Sequence, residues 1–424
     1  IGSGEDSLVQ GFAALSLVVF GFSLAVPFIL YTLVQGGLLL SSSSIVRIGL
    51  RGINASASRT SMAVAALTVA VSATVGVGVM VHSFRHTFNE WLQQSLPGDI
   101  YLSPSGAAPA AGGLPPSLVQ TLRRLPGVAA VGRNRMARVE TEWGQQRLTV
   151  LDGDASQRYS TRVLAVKAGV ENAMEAFARG EGILVSEPLA YHRQLQVGSS
   201  MRVHTDHGAK SLPVLGIFYD YTSSVGLIAM HRSLYTKLWH DRGISGLSVF
   251  AAADTSQSEL LKAVRNAVGE AAIVRSNREI RDRSLAIFEH TFAITHILRV
   301  LVIAVAFIGI FSALMSVQLE RLRELAILRV TGMTPAEVSA VVIGQAAVMG
   351  FLAALLALPL GLVTAVVLID VVNLRSFGWS LQFVVPPGVL VEAQILSVTA
   401  ALLAGSYPAL KAVYISPAHA LREE

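Results

Sequence analysis

Five stretches of this chain, 11–34, 62–81, 300–319, 338–369 and 393–410, each approach or exceed the 20 or so mostly apolar residues that a helix needs to cross a bilayer. Inside hydrocarbon every backbone polar group must be satisfied within its own segment, so stretches of this kind commit the chain to helices that span. The fourth stretch is too long to stand straight and perpendicular, and Pro359 with Gly361 places a kink in it. The fifth is short, with Pro386 and Pro387 before it and Lys411 after it. Composition agrees: 52% of residues are hydrophobic and 14% charged, where soluble domains average about 25% charged.

The charges are concentrated. Of the 33 Lys and Arg residues, 23 fall between Arg85 and Glu289. That region reads as a water-soluble α+β domain. Alternating runs such as Asp99-Ile100-Tyr101-Leu102 and 146–151 suggest strands, 117–125 and 260–268 suggest amphipathic helices, and 199–205 with 210–218 suggests a hairpin turning at Asp206-His207-Gly208. Residues 107–116, rich in Ala, Gly and Pro, read as a loop. The fold class expected is an α-helical membrane protein with an inserted extracytoplasmic α+β domain and five transmembrane helices in this chain. Its divisions are a linker helix (1–46), a basic cytoplasmic segment (47–61), a transmembrane helix (62–84), the α+β domain (85–289) and a three-helix transmembrane domain (290–424).

Short basic loops set the orientation, because Lys and Arg are retained on the cytoplasmic side. Arg47, Arg51 and Arg59 follow the first stretch, Arg321, Arg323 and Arg329 the third, and Lys411 and Arg422 the fifth. All three clusters fall on one side, which puts residue 1, the α+β domain and the 370–387 loop on the other. Long translocated domains escape the rule, so the basic residues of 85–289 do not oppose it. The chain opens on Ile1 with no leader pattern and reads as cut from something longer.

Residues 276–335 read as one helix that leaves the soluble domain and crosses the membrane. Ser276 and Glu279 form a capping-box pattern at its start, and the next proline is Pro335. From 276 to 319 such a helix would be roughly 65 Å long, about twice the hydrocarbon thickness. It can therefore carry force between compartments. Beyond it, Leu319, Leu322, Ala326 and Val330 share one helical stripe, and the element stops at Gly332 and restarts through Thr334-Pro335-Ala336-Glu337, a second capping box. An ordinary solvated turn could look similar. A docking surface is favoured because the element is short, capped and rigidly joined to the long helix, and its alternating charges would supply specificity.

Other candidates are weaker. Thr68, Ser72 and Gly76 recur every fourth residue and suggest a seam where a second helix backbone approaches. Arg299, at the outer edge of the third stretch, reads as a snorkelling residue of the long helix. His204 and His207 flank Asp206 at a hairpin tip without a third histidine, which reads as a surface turn and not a metal site. No phosphate-binding loop, HExxH or GxSxG pattern occurs, and with 0 cysteines thiol chemistry is excluded. The chain reads as non-catalytic and binding no cofactor. Neither sign of charge dominates the α+β domain, so nucleic acid is not an expected partner.

The run Gln318-Leu319-Glu320-Arg321-Leu322-Arg323-Glu324-Leu325-Ala326-Ile327-Leu328-Arg329-Val330-Thr331-Gly332-Met333-Thr334 resembles the cytoplasmic coupling segment of FtsX-like permeases of ABC transporters, the MacB and lipoprotein-releasing group. Residues 407–412 and 415–422 resemble that family's ending, and 99–104 with 182–187 look like parts of its extracytoplasmic domain. The resemblance implies a separate ATPase, an expected dimer carrying ATP and Mg, docked on 318–334. The residues implied in coupling are Glu320, Arg321, Arg323, Glu324, Ile327, Arg329, Gly332 and Met333, with Glu324 at the family's acidic position. Ser276, Glu279 and Arg299 are assigned to the force-transmitting helix on the sequence pattern, and the resemblance implies that work is delivered outside the bacterial cytoplasmic membrane by mechanotransmission. The cargo class implied is lipid-linked or amphiphilic; the alternative is a transmembrane activator of an envelope hydrolase or other external protein. The extra helix at 11–34 resembles the linker of duplicated, roughly ten-helix permeases, which would make this chain the C-terminal half. Partners then include the N-terminal half or a second permease copy, and membrane lipids.

Overall fold

The computed structural model describes residues 2–40, 51, 57–105, 113–152, 166–320, 330 and 332–414. Within these, the side chains of 2–7, 40, 57–59, 411–414 and most of 288–320 lie outside the description. So do residues 107–112 of the expected 107–116 loop and most of the charged run at 320–331. The chain opens with helices α1 (Gly2–Leu40) and α2 (Ala57–Ser95), then strand β1 (Ile100–Pro104), helix α3 (Ser117–Arg123), and strands β2 (Val128–Thr141), β3 (Gly144–Leu151) and β4 (Val166–Gly169). Next come α4 (Ala173–Arg179), β5 (Ile183–Ser186), α5 (Glu187–Arg193), β6 (Ser200–Thr205), β7 (Gly208–Phe218), β8 (Ile228–His231) and α6 (Arg232–Leu238). The remainder is β9 (Gly246–Ala251), α7 (Gln257–Val268), β10 (Ala272–Ser276), α8 (Asn277–Glu320), α9 (Pro335–Val366), α10 (Leu374–Phe377) and α11 (Pro387–Tyr414). Contacts divide the chain into a helical unit of 1–84, 291–372 and 381–424, and an α+β unit of 85–290 with 373–380.

In the helical unit, four helices among the described residues are long and apolar enough to cross a membrane: Leu8–Leu39, Thr60–Ser95, Pro335–Phe377 and Pro387–Leu410. Against the five expected, four qualify among the described residues. The expected span at 300–319 falls inside α8, where most side chains lie outside the described residues. The observed helices also outrun the apolar windows. Pro359 lies within α9, which continues past it and through a π-helical turn, Val367–Asn373, into α10. Helix ends only at Gly378, where a left-handed φ of 72° stops it, so the expected 370–387 loop is helical over its first part.

The core of this unit draws Val26, Leu30 and Val34 from α1, Val64, Leu67, Val71 and Val75 from α2, Met349, Ala353 and Ala357 from α9, and Ala393 and Ala404 from α11. Small residues let α9 and α11 approach closely: Ser397 Oγ donates to Gly350 O at 2.9 Å, and Gln394 Nε2 to Ala354 O at 3.0 Å. On α1, Leu17, Phe20, Leu24 and Phe28 are 69–82% exposed, a face suited to lipid rather than water.

The α+β unit is built on a ten-stranded mixed sheet ordered β10-β1-β9-β2-β3-β8-β5-β7-β4, with β6 paired to β2 and β7. The pairs β3–β8 and β5–β7 are parallel; the others are antiparallel. Helix α7 buries Leu260, Val264 and Val268, one stripe at four-residue spacing, against Ile100, Val131, Leu247 and Val249. A second core gathers Leu148, Val150, Ile183, Val185, Met201, Val214 and Met230. In the β6–β7 hairpin Thr205 faces Gly208, and Met201 and Val203 point inward while Arg202 and His204 point out, as the two-residue period of a strand requires.

Candidate transmission site

Helix α8 starts at the sheet. Ser276, the last residue of β10, accepts the Glu279 N–H on its Oγ at 3.1 Å, and Glu279 Oε2 accepts the Ser276 N–H at 3.0 Å. The two side chains thus satisfy donors that the first helical turn leaves without intrahelical partners. Arg265 of α7 reaches Glu279 Oε1 at 3.1 Å, tying the helix start to the neighbouring layer.

Asn277 binds the start of α8 to the turn that follows α2. Its Nδ2 donates to Leu96 O at 2.5 Å and to Gly98 O at 2.9 Å, and its backbone N–H donates to Asp99 O at 2.9 Å. Arg281 Nη2 then donates back to Asn277 Oδ1 at 3.1 Å. Beside this joint the Gly98 N–H donates to Tyr101 Oη at 2.8 Å. Burial, the largest influence, pushes the Tyr101 phenol well above its ordinary range, so it stays neutral. In the sequence Asn277 has only a faint signal, an Asn at the first helical position after a Ser cap, because its partners lie far away along the chain.

At the other end the backbone of α8 reaches Glu320. Arg321, Arg323, Glu324, Ile327 and Arg329 lie outside the described residues, as do the side chains of Glu320 and Arg299. Description resumes at Gly332, whose φ of 108° is left-handed, and Met333, which packs on Val338, Val342 and Ala409. Thr334 then caps α9: its Oγ1 accepts the Glu337 N–H at 3.3 Å, and Glu337 Oε2 accepts the Thr334 N–H at 2.7 Å.

Thr68, Ser72 and Gly76 are brought to a seam between α2 and α9. Thr68 Oγ1 points at Ala353 O from 3.5 Å, at the limit of a hydrogen bond. A Cβ on Gly76 would lie 2.6 Å from Thr364 Cγ2, and a Cβ on Gly361 would lie 2.6 Å from Val75 Cβ and 3.0 Å from Ser72 O. The glycines are therefore what lets the two backbones come together. Elsewhere, Asp206 Oδ2 accepts from the backbone N–H of His240 at 2.7 Å and lies 2.9 Å from its ring Nδ1. These bonds hold the Asp206 carboxyl below the usual range. Among the described residues no group of three His, Asp or Glu side chains could hold a metal ion.

Residues 60–267 match the family model of the MacB-like periplasmic core domain, and residues 297–417 match that of the FtsX-like permease C-terminal region. An uncharacterized ABC transporter permease protein of Mycobacterium tuberculosis is 35% identical over 431 residues, an alignment that takes in 99% of this chain and 50% of that protein. The chain thus spans about half the length of the curated relative it matches. The periplasmic region of MacB from Actinobacillus actinomycetemcomitans is similar over 45% of this chain and 92% of that one, with 10% identity and a TM-score of 0.33. The extracellular domain of the ABC-type transporter YknZ from Gram-positive bacteria is similar over 42% of this chain and 99% of that one, with 16% identity and a TM-score of 0.29. With the two family models following one another along a chain of membrane-length helices and an α+β sheet domain, the chain belongs to the FtsX-like permeases that carry a MacB-like periplasmic core domain.

Proposed function

We propose that this chain is a non-catalytic membrane subunit of an ABC transporter, converting ATP hydrolysis by a separate cytoplasmic ATPase into movement of its periplasmic α+β domain. One observation carries the reading: α8 is a continuous helix from Asn277 to Glu320, and its first residue is hydrogen-bonded to Leu96, Gly98 and Asp99 in the turn between α2 and β1. A helix fastened at one end and joined at the other to a capped, charged segment conveys displacement without needing a pore. The ATPase, as a dimer carrying ATP and Mg, docks on 318–334 through Glu320, Arg321, Arg323, Glu324, Ile327, Arg329, Gly332 and Met333. Ser276, Glu279 and Arg299 act as parts of the transmitting helix, and Thr68, Ser72 and Gly76 hold α2 against α9 while it moves.

The membrane is the bacterial cytoplasmic membrane, with the α+β domain outside. The other half of the permease, or a second copy, completes the assembly. Cargo is lipid-linked or amphiphilic, because work is delivered where such molecules leave the bilayer. The test is Glu324→Lys in the intact permease: ATPase co-purification should be lost while membrane insertion is kept. Co-purification at the wild-type level would overturn the docking assignment. Pull-down on the periplasmic domain followed by mass spectrometry separates cargo from control: bound lipid or lipoprotein supports transport, and a bound hydrolase replaces it with activation.

A further inference from the structure

We infer that residues 373–380, the connection between α9 and α11, are a second transmission contact, clamped to the α+β domain through Ser380 by the buried carboxylate of Glu187. The inference rests on the force-transmitting reading above and adds a second route to it. Glu187 opens α5 and is 5% exposed. A carboxylate in such a place is costly unless its oxygens are occupied. Ser380 occupies them: its N–H donates to Glu187 Oε2 at 3.1 Å and its Oγ to Oε1 at 2.7 Å, while Lys167 Nζ pairs with Oε1. The carbonyl of the same serine accepts from Tyr221 Oη at 2.8 Å. Every polar group of Ser380 is therefore held by the domain.

The residues before it are shaped to the same surface. Gly378 has a φ of 72°, and a Cβ there would lie 2.8 Å from Pro188 Cα, so the chain could not approach α5 with a side chain at that position. Trp379 meets Tyr221 edge-on at 5.8 Å, Phe377 stacks on Trp379 at 4.9 Å, and Asn373 Nδ2 donates to Trp379 O at 2.8 Å. Tyr221 in turn meets Trp91 of α2 at 5.7 Å, and Trp91 Nε1 donates to Tyr219 O at 2.9 Å. Contacts accordingly group 373–380 with 85–290 although both flanks belong to the helical unit. Because helix runs unbroken from α9 through 367–373 into α10, a displacement of α9 along its axis is carried to the residues next to this clamp.

Glu187 is thus a positioning residue, and a merely structural packing role would leave its coupling readout unmoved. The experiment is hydrogen–deuterium exchange on the intact permease in nanodiscs with the ATPase that co-purifies with it, with and without ATP. In the wild type, 373–380 and 183–193 should change protection together when ATP is added. In Glu187→Ala, and in Ser380→Ala if the first variant expresses poorly, 373–380 should exchange about tenfold faster and stop following 183–193, with ATPase co-purification unchanged. Equal, joint responses in wild type and variants would overturn the clamp and leave the transmission reading standing. An absence of any ATP response in the wild-type domain would instead remove the transmission reading, and the clamp with it.

Discussion

The Asn277 side chain donates to Leu96 O at 2.5 Å, joining the residue that starts α8 to the turn that follows α2. The two helices that leave the α+β sheet are therefore tied by one amide, which also holds Gly98 O. Asn277→Ala would leave both carbonyls without that donor. Stability should fall by about 1–3 kcal/mol, read as a lower unfolding temperature of the intact permease in detergent. A variant as stable as the wild type would show that the joint is held elsewhere.

The capping box is a separate and smaller effect. Ser276→Ala and Glu279→Ala should each cost about 1 kcal/mol, and the double variant less than the sum, because the two side chains serve one helix start. Additive losses in thermal unfolding would mean that the two act independently.

Along the α2–α9 seam, Gly361→Val has no room, since even its Cβ would lie 2.6 Å from Val75 Cβ. It should destabilise by about 1–3 kcal/mol through overpacking. Gly36→Ala in α1 is the control: nothing lies within 4 Å of the added atom, and stability should be unchanged or slightly higher. Equal effects of the two substitutions, followed by thermal unfolding, would contradict close packing at the seam.

Asp220 gives a pH dependence with a definite sign. It is 3% exposed, and burial raises its pKa although Thr222 donates to Oδ1 from its N–H at 3.1 Å and from its Oγ1 at 2.7 Å. A folded-state pKa above the unfolded value means that folding favours the protonated form. That contribution is complete below the ordinary value of 3.8 and is lost as pH rises through the folded pKa. Asp220→Asn keeps an acceptor for Thr222 and removes the charge. It should raise the unfolding temperature at pH 7 and make progressively less difference as pH falls below 3.8; a lower unfolding temperature at pH 7 would reverse the assignment.

Local patterns carried much of this fold into the sequence. Both capping boxes depend on residues three apart, the hairpin at Asp206-His207 on adjacent residues, and the seam of Thr68, Ser72 and Gly76 on a four-residue repeat, so each is visible without knowing its partner. Contacts across the chain are different. Asn277 finds Leu96 at a separation of 181 residues, and Glu187 finds Ser380 at 193, and neither pair has a pattern of its own. Grouping 373–380 with the α+β unit follows from such contacts. Apolarity alone marks the 300–319 window as able to span but leaves side-chain burial open, and helix ends set by Gly378 lie beyond any apolar window.

The central claim is that motion at the coupling segment reaches the α+β domain. With no cysteine in the chain, spin labels attach within it only at the introduced Leu39→Cys and Lys210→Cys, both exposed positions. Their distance distribution is then measured in the assembled transporter with and without ATP. The account expects a shift on ATP addition that disappears in Glu324→Lys. A distribution unmoved by ATP in the labelled wild type, or moved equally in Glu324→Lys, would contradict it.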